Sequence, residues 1–335
     1  MEGVPRQDIP VSFSDEQETE VSITEGEIDT QATVERETVK PISKEEATAV
    51  IARDYPEFQH AEVSVVGQGQ NAVTFKVNKE YIFRFPFRLV ASVESKAETQ
   101  TSILKSLEGK VDVEIPRIEF QGDNPVYSGY RKIEGAVLNK ELLATLTDTE
   151  KIEIGKDMAD FLHQMHTIPL GDAEKAGYTR KPFMAEAKRR ETEEFVRREF
   201  AEDEQDYLLR MLKHSEELEA NPEKEVVLHG DLDLGNMFLR PDTKKLKGVI
   251  DFGEAVGNVY RDFFYAPIRD KTMGDAMIVE YERLSGEPLS REAIEAYTVS
   301  REIRFLMRYH GKKDAPLANE WREKLLRRAK EGLAF

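Results

Sequence analysis

Val226-Val227-Leu228-His229-Gly230-Asp231-Leu232-Asp233-Leu234-Gly235-Asn236-Met237-Phe238-Leu239, followed by Leu246-Lys247-Gly248-Val249-Ile250-Asp251-Phe252-Gly253, is the stretch on which the fold turns. The apolar runs Val226–Leu228 and Leu246–Ile250 read as short buried strands, and a third run, Met237–Leu239, follows Asn236. Each of the first two runs leads into a carboxylate, Asp231 and Asp251, and Asn236 stands five positions after the first. Either aspartate alone could be a turn cap. The joint spacing with Asn236 and Phe252-Gly253 asks for more. Phosphoryl transfer needs this set of groups: a carboxylate at the acceptor hydroxyl, and an amide and a second carboxylate for metal ions on the phosphates.

The pattern His229-Gly230-Asp231, Asn236, Ile250-Asp251-Phe252-Gly253 resembles the protein-kinase catalytic and metal loops, with Gly230 where protein kinases usually carry arginine. In that variant it is similar to the aminoglycoside phosphotransferase family of small-molecule kinases. Tyr81–Pro86 with Gly129–Gly135 resembles its 2″-phosphotransferase branch. The resemblance covers roughly residues 60–310. It implies an α+β, bilobal protein-kinase-like fold, with an N-terminal antiparallel β-sheet lobe carrying one main helix and a larger, mainly helical C-terminal lobe. It also implies Asp231 as catalytic base, Asn236 and Asp251 as Mg2+ ligands, and ATP or GTP as phosphoryl donor. His229 is a second catalytic-loop candidate, better suited to orienting the loop than to moving protons. The implied acceptor is a small molecule, a cationic aminoglycoside first, which would make the protein an antibiotic-resistance enzyme. No activation segment ending in Ala-Pro-Glu follows Gly253, which disfavours a protein kinase. A kinase of another hydroxylated metabolite and a nucleotide-binding pseudokinase remain open.

Composition narrows the partners. The 335 residues are 39% hydrophobic, enough for two structural units. There is no cysteine, hence no disulfide, thiolate nucleophile or cysteine zinc site. The net charge of −17 argues against a nucleic-acid backbone. No apolar run suits a membrane span or signal peptide, so a cytoplasmic monomer is the expectation. Much of the charge lies in residues 1–40, where eleven acids face three bases. With few large apolar side chains, that segment reads as a disordered leader. The expected organisation is therefore leader 1–40, nucleotide-binding lobe 41–132 and helical lobe 133–335.

Ser43-Lys44-Glu45-Glu46 reads as a helix cap, and Pro56 as a stop beyond a helix ending near Asp54. Residues 61–86 alternate as three antiparallel strands, with turns at Gly67-Gln68-Gly69-Gln70-Asn71 and Asn78-Lys79-Glu80. The first turn fits a dinucleotide fingerprint, but strand-like Val73–Val77 follows instead of a helix, so that reading fails. A glycine-bearing hairpin over nucleotide phosphates, with Gly67, Gly69, Gln70 and Asn71 as contacts, fits instead. On the third strand, Arg84 stands where kinases carry a phosphate-pairing lysine. Its implied ion-pair partner is Glu98, preferred over Glu94. After the strand beginning at Val126, the backbone of Lys132 and Ile133 is the expected contact for the base.

Further on, His163 and His166 lack a third ligand and read as packed or capping residues. Asp262 matches a family aspartate that steadies the catalytic loop, whereas Asn258 and Val259 depart from the family's Gly-Asp-Pro. Arg301, Arg304 and Arg308 form a basic stripe at helical spacing. Facing the acceptor, it would repel an aminoglycoside; facing solvent, it would be irrelevant.

Overall fold

The computed structural model describes residues 41–68, 72–86, 101–222, 224–252, 255–312 and 314–332. The acidic leader, Gly69, Gln70, Asn71, Glu94, Glu98 and Gly253 lie outside the described residues. The chain divides into two compact units, one of residues up to Lys105 with Ile115–Val137, the other of Ser106–Glu114 with Leu138–Phe335.

The first unit begins with α1 (Lys44–Asp54), whose capping box forms as the sequence requires: Glu46 N–H donates to Ser43 Oγ, and Ser43 N–H donates to Glu46 Oε2 at 2.8 Å. The three expected strands follow as β1 (Val63–Gln68), β2 (Ala72–Val77) and β3 (Tyr81–Pro86). Asn78 and Lys79, at φ 50° and 62°, turn the chain between β2 and β3. Helix α2, residues 101–107, precedes β4 (Ile118–Asp123) and β5 (Val126–Arg131). The five strands form one antiparallel sheet in the order β1-β2-β3-β5-β4. Period-two alternation sends Val73, Phe75, Val77, Phe83, Phe85 and Tyr127 to one face, where they pack with Ala47, Ile51 and Phe58. Burying each large side chain there stabilises the unit by about 1.5–3 kcal/mol. Arg84, between Phe83 and Phe85, falls on the opposite face, opposite Thr74 on β2 and Ser128 on β5. A two-residue strand, β6 (Ala136–Val137), ends this unit.

The second unit is mainly helical. It contains α3 (Lys140–Thr145), α4 (Asp148–His166), α5 (Leu170–Lys175), α6 (Glu186–Glu199), α7 (Glu202–Ala220), α8 (Tyr265–Arg269), α9 (Lys271–Ser285), α10 (Arg291–Gly311) and α11 (Ala315–Gly332). Phe200 and Ala201 separate the highly charged helices α6 and α7. Helices α4 and α9 pack closely because Gly155 has no side chain. A Cβ there would sit 2.4 Å from the Met273 carbonyl. The apolar runs around the motif are strands: β8 (Glu225–Leu228), the antiparallel pair β9 (Met237–Leu239) and β10 (Leu246–Val249), and β11 (Ala255–Asn258). β11 pairs with both β8 and β7 (Thr179–Arg180). The result is the expected α+β class, a five-stranded antiparallel sheet N-terminal to a mainly helical remainder.

Candidate active site

Between β8 and β9 the chain leaves a buried strand, turns through His229–Asp231 and re-enters a strand after a single 3₁₀ turn, Leu234–Asn236. Gly230 sits at φ 80°, a conformation that favours glycine. This explains the residue that stands where protein kinases carry arginine. Asp262, at the end of a 3₁₀ turn over Val259–Asp262, holds the bend from behind. Its carboxylate accepts the His229 N–H at 2.8 Å and the Gly230 N–H at 2.7 Å. His166 Nε2, from the last turn of α4, lies 3.1 Å from the same carboxylate, and His166 Nδ1 lies 2.8 Å from the Tyr281 hydroxyl on α9. Burial pushes the Asp262 carboxyl upward, but His166 and these backbone donors hold it below the usual carboxylate range. The steadying role expected of Asp262 is thus visible atom by atom, and His166 is a packed partner of it.

His229 is wholly buried, and both ring nitrogens meet backbone. Nδ1 accepts the Asp231 N–H at 3.2 Å, so Nε2 carries the proton and donates to the Ile250 carbonyl at 3.2 Å. Burial pushes its pKa down, in keeping with a neutral ring. The ring therefore ties the loop bearing Asp231 to the strand end bearing Asp251. A second tie runs through Asn236. Its Nδ2 donates to the Asp231 carbonyl at 2.8 Å, and its own carbonyl accepts the Ile250 N–H at 2.9 Å. Asp251 itself adopts φ 64°, a left-handed conformation that aspartate tolerates better than most residues. Asp231, Asn236 and Asp251 are brought together.

The Asp231 side chain has a partner that motif reading did not find. Tyr265, at the start of α8, donates its hydroxyl to Asp231 Oδ1 at 2.6 Å, and Arg301 on α10 donates to that hydroxyl oxygen. Burial pushes the Asp231 carboxyl above its ordinary range and the charge of Asp251 adds to this, while Tyr265 and Arg301 oppose it. Asp233 is a further addition. It accepts Arg269 Nε at 2.7 Å and Nη2 at 2.5 Å, pinning the loop to α8. The three arginines of the basic stripe differ in their surroundings. Arg301 is wired to the site, Arg304 donates to the Phe183 carbonyl at 3.4 Å, and the outermost, Arg308, is exposed. Glu302 does not face solvent but lies buried on Arg328, at 2.8 and 3.2 Å.

The remaining candidates belong to the first unit. Gly67 lies at a register shift between β1 and β2, and Arg84 on central strand β3. Lys132 donates its backbone N–H to the Glu80 carbonyl at 2.7 Å, and Ile133 is buried.

A profile of the phosphotransferase enzyme family matches residues 62–303, so the chain belongs to that family of small-molecule phosphotransferases. Among solved structures, the GDP complex of aminoglycoside 2′-phosphotransferase-IIIa is 20% identical at a TM-score of 0.70, covering 87% of this chain and 100% of that one. The GDP and kanamycin complex of APH(2″)-IIia is 22% identical at 0.67, covering 85% and 98%. Macrolide 2′-phosphotransferase type I is 18% identical at 0.60, covering 86% and 99%. At these identities the structures establish a shared fold.

Proposed function

We propose that this chain transfers the γ-phosphoryl group of ATP or GTP to a hydroxyl of a small molecule, with Asp231 as the base. The observation that carries the proposal is the double tie between Asp231 and the Asp251 strand end, through His229 and through Asn236. It sets one carboxylate beside an amide–carboxylate pair. Asp231 orients the acceptor hydroxyl and takes its proton, and its raised pKa suits a group that must hold that proton. His229, neutral and occupied on both nitrogens, keeps the loop in place. Because Asn236 Nδ2 is committed to the Asp231 carbonyl, Asn236 presents its Oδ1, and with Asp251 it offers hard oxygen donors suited to Mg2+. Bound there, Mg2+ would neutralise phosphate charge as the transferred group loosens.

In the same reading residues 41–132 are the nucleotide-binding part and 133–335 the catalytic part. Arg84, paired with Glu98, meets the phosphates, as do Gly67, Gly69, Gln70 and Asn71. The base contact falls to the Lys132 carbonyl and the Ile133 backbone, since the Lys132 N–H already serves Glu80. A nucleotide donor is supported by the GDP named in two of the related structures. Among the described residues no helix is long and apolar enough to cross a membrane.

The acceptor we put first is an aminoglycoside, which would make this a resistance enzyme, on the strength of the kanamycin and aminoglycoside names among the relatives. A second reading, a hydroxylated metabolite without ammonium groups, is favoured by Arg301 and Arg304, which bring positive charge to the Tyr265 side of Asp231. Turnover with ATP and with GTP is to be measured against kanamycin, a macrolide and uncharged sugars. Asp231→Ala should cut transfer by about 10²–10⁴-fold and leave nucleotide binding intact. Undiminished turnover in that variant would refute the assignment.

A further inference from the structure

We propose that Tyr265 and Arg301 form a positioning pair that fixes which oxygen of Asp231 receives the acceptor's proton. This rests on Asp231 being the base. The direction of the hydrogen bonds follows from what each group can do. A guanidinium has five N–H donors and no acceptor, so the Tyr265 oxygen must accept from Arg301. Its single hydroxyl proton is then left for Asp231 Oδ1, 2.6 Å away. The tyrosine cannot turn its proton elsewhere without giving up the bond to Asp231.

Its surroundings hold it in that state. Tyr265 is 2% exposed, and burial together with the negative charge of Asp231 pushes its hydroxyl well above the usual phenol range. It keeps its proton, so toward Asp231 it acts as a donor while its oxygen accepts from Arg301. Arg301 is held in turn by aromatic faces, with its guanidinium carbon 5.1 Å from the Tyr265 ring centroid, 4.8 Å from that of Phe305 and 5.9 Å from that of Phe264.

The consequence lies at the two carboxylate oxygens. Oδ1 has a short, charge-assisted bond to a fixed donor. Among the described residues Oδ2 has only the Asn236 amide nitrogen at 3.4 Å, at the outer limit of a hydrogen bond. Oδ2 is therefore the oxygen that takes the acceptor hydroxyl, and Tyr265 stops the carboxylate from swinging to offer Oδ1 instead. A base held in one rotamer gains rate through orientation, not through tighter substrate binding.

The test uses the full chain and needs no known acceptor: magnesium-dependent hydrolysis of ATP or GTP, with water taking the phosphoryl group. Tyr265→Phe removes one oxygen and keeps the ring. It should lower kcat about tenfold, the worth of one lost hydrogen bond to a charged group, with nucleotide KM and calorimetric Kd unchanged. Arg301→Met should lower kcat similarly, and Arg301→Lys should restore part of it. The double variant should be no slower than the worse single one, because Arg301 acts on Asp231 only through Tyr265. In an Asp231→Asn background, Tyr265→Phe should change nothing further. A Tyr265→Phe enzyme with wild-type kcat, or with a changed KM alone, would overturn the tyrosine's role while leaving Asp231 as base. If Asp231→Asn itself hydrolyses normally, the base assignment fails and the pair's role falls with it. Additive losses in the double variant would overturn the linkage.

Discussion

Replacing Asp262 by Asn keeps the shape of the side chain and removes one acceptor and the charge. In the native site two oxygens serve three donors: the His229 N–H at 2.8 Å, the Gly230 N–H at 2.7 Å and His166 Nε2 at 3.1 Å. Asparagine offers one oxygen and an NH2. In either orientation the NH2 meets an N–H donor, leaving it unpaired in a site where Asp262 is 2% exposed. Losing a bond to a charged group costs about 1.5–3 kcal/mol, and an unpaired buried donor about 1–3 kcal/mol more. The sum is about 2.5–6 kcal/mol, which for a unit of this size lowers Tm by roughly 10 °C or more. The acid side gives an independent reading. The Asp262 pKa is lower in the folded than in the unfolded state, so its contribution is present above the unfolded value of about 3.9 and is lost as pH falls through the folded value. The gap in Tm between wild type and Asp262→Asn should thus be full near neutrality and close in acid. Calorimetric melts from pH 7 downward measure both effects. A Tm within about 2 °C of wild type at pH 7, with undiminished turnover, would refute the role given to Asp262.

Two further outcomes follow from the same geometry. Arg328→Met strands Glu302, which is 1% exposed, and should cost about 3–5 kcal/mol in urea denaturation; the double change with Glu302→Gln should recover part of it. Asp251→Asn should weaken nucleotide binding in magnesium and leave little further effect of EDTA, whereas wild type should lose affinity when EDTA is added; equal affinities with and without the chelator would remove Asp251 from the metal site.

What the sequence made legible was local. The capping box at Ser43 and Glu46, the alternation of β1 to β3 and the apolar runs around the motif each depend on neighbours within a few positions, and each element appears where its pattern stands. The motif likewise joins residues whose spacing is their geometry. The contacts that govern Asp231 are not of that kind. Tyr265 follows Asp231 by 34 positions and Arg301 follows Tyr265 by 36, and only the packing of α8 and α10 makes them meet. The arginine periodicity was readable on α10, but periodicity gives a face and not what the face touches. The Lys132 N–H was open to a ligand in the sequence, and the pairing of β3 with β5 brings it to Glu80. Asn258, a departure from the family's Gly-Asp-Pro, has its own local work: it donates to the Leu218 carbonyl at 2.9 Å and accepts the Tyr260 N–H at 3.2 Å.

Helix α10 carries Arg301 on the Tyr265 hydroxyl and, one and two turns later, Arg304 and Arg308. This gives the helix an uneven capacity for evolutionary change. Substitutions at 304 and 308 change the charge of the helix without removing the donor to the Tyr265 hydroxyl. A substitution at 301 also removes the donor to the hydroxyl that bonds Asp231, so on the proposed function it should slow the reaction as well. On the proposed function, change in acceptor preference has more room at the far turns of the helix than at position 301. A library aimed at a new substrate should leave position 301 alone and begin three residues on.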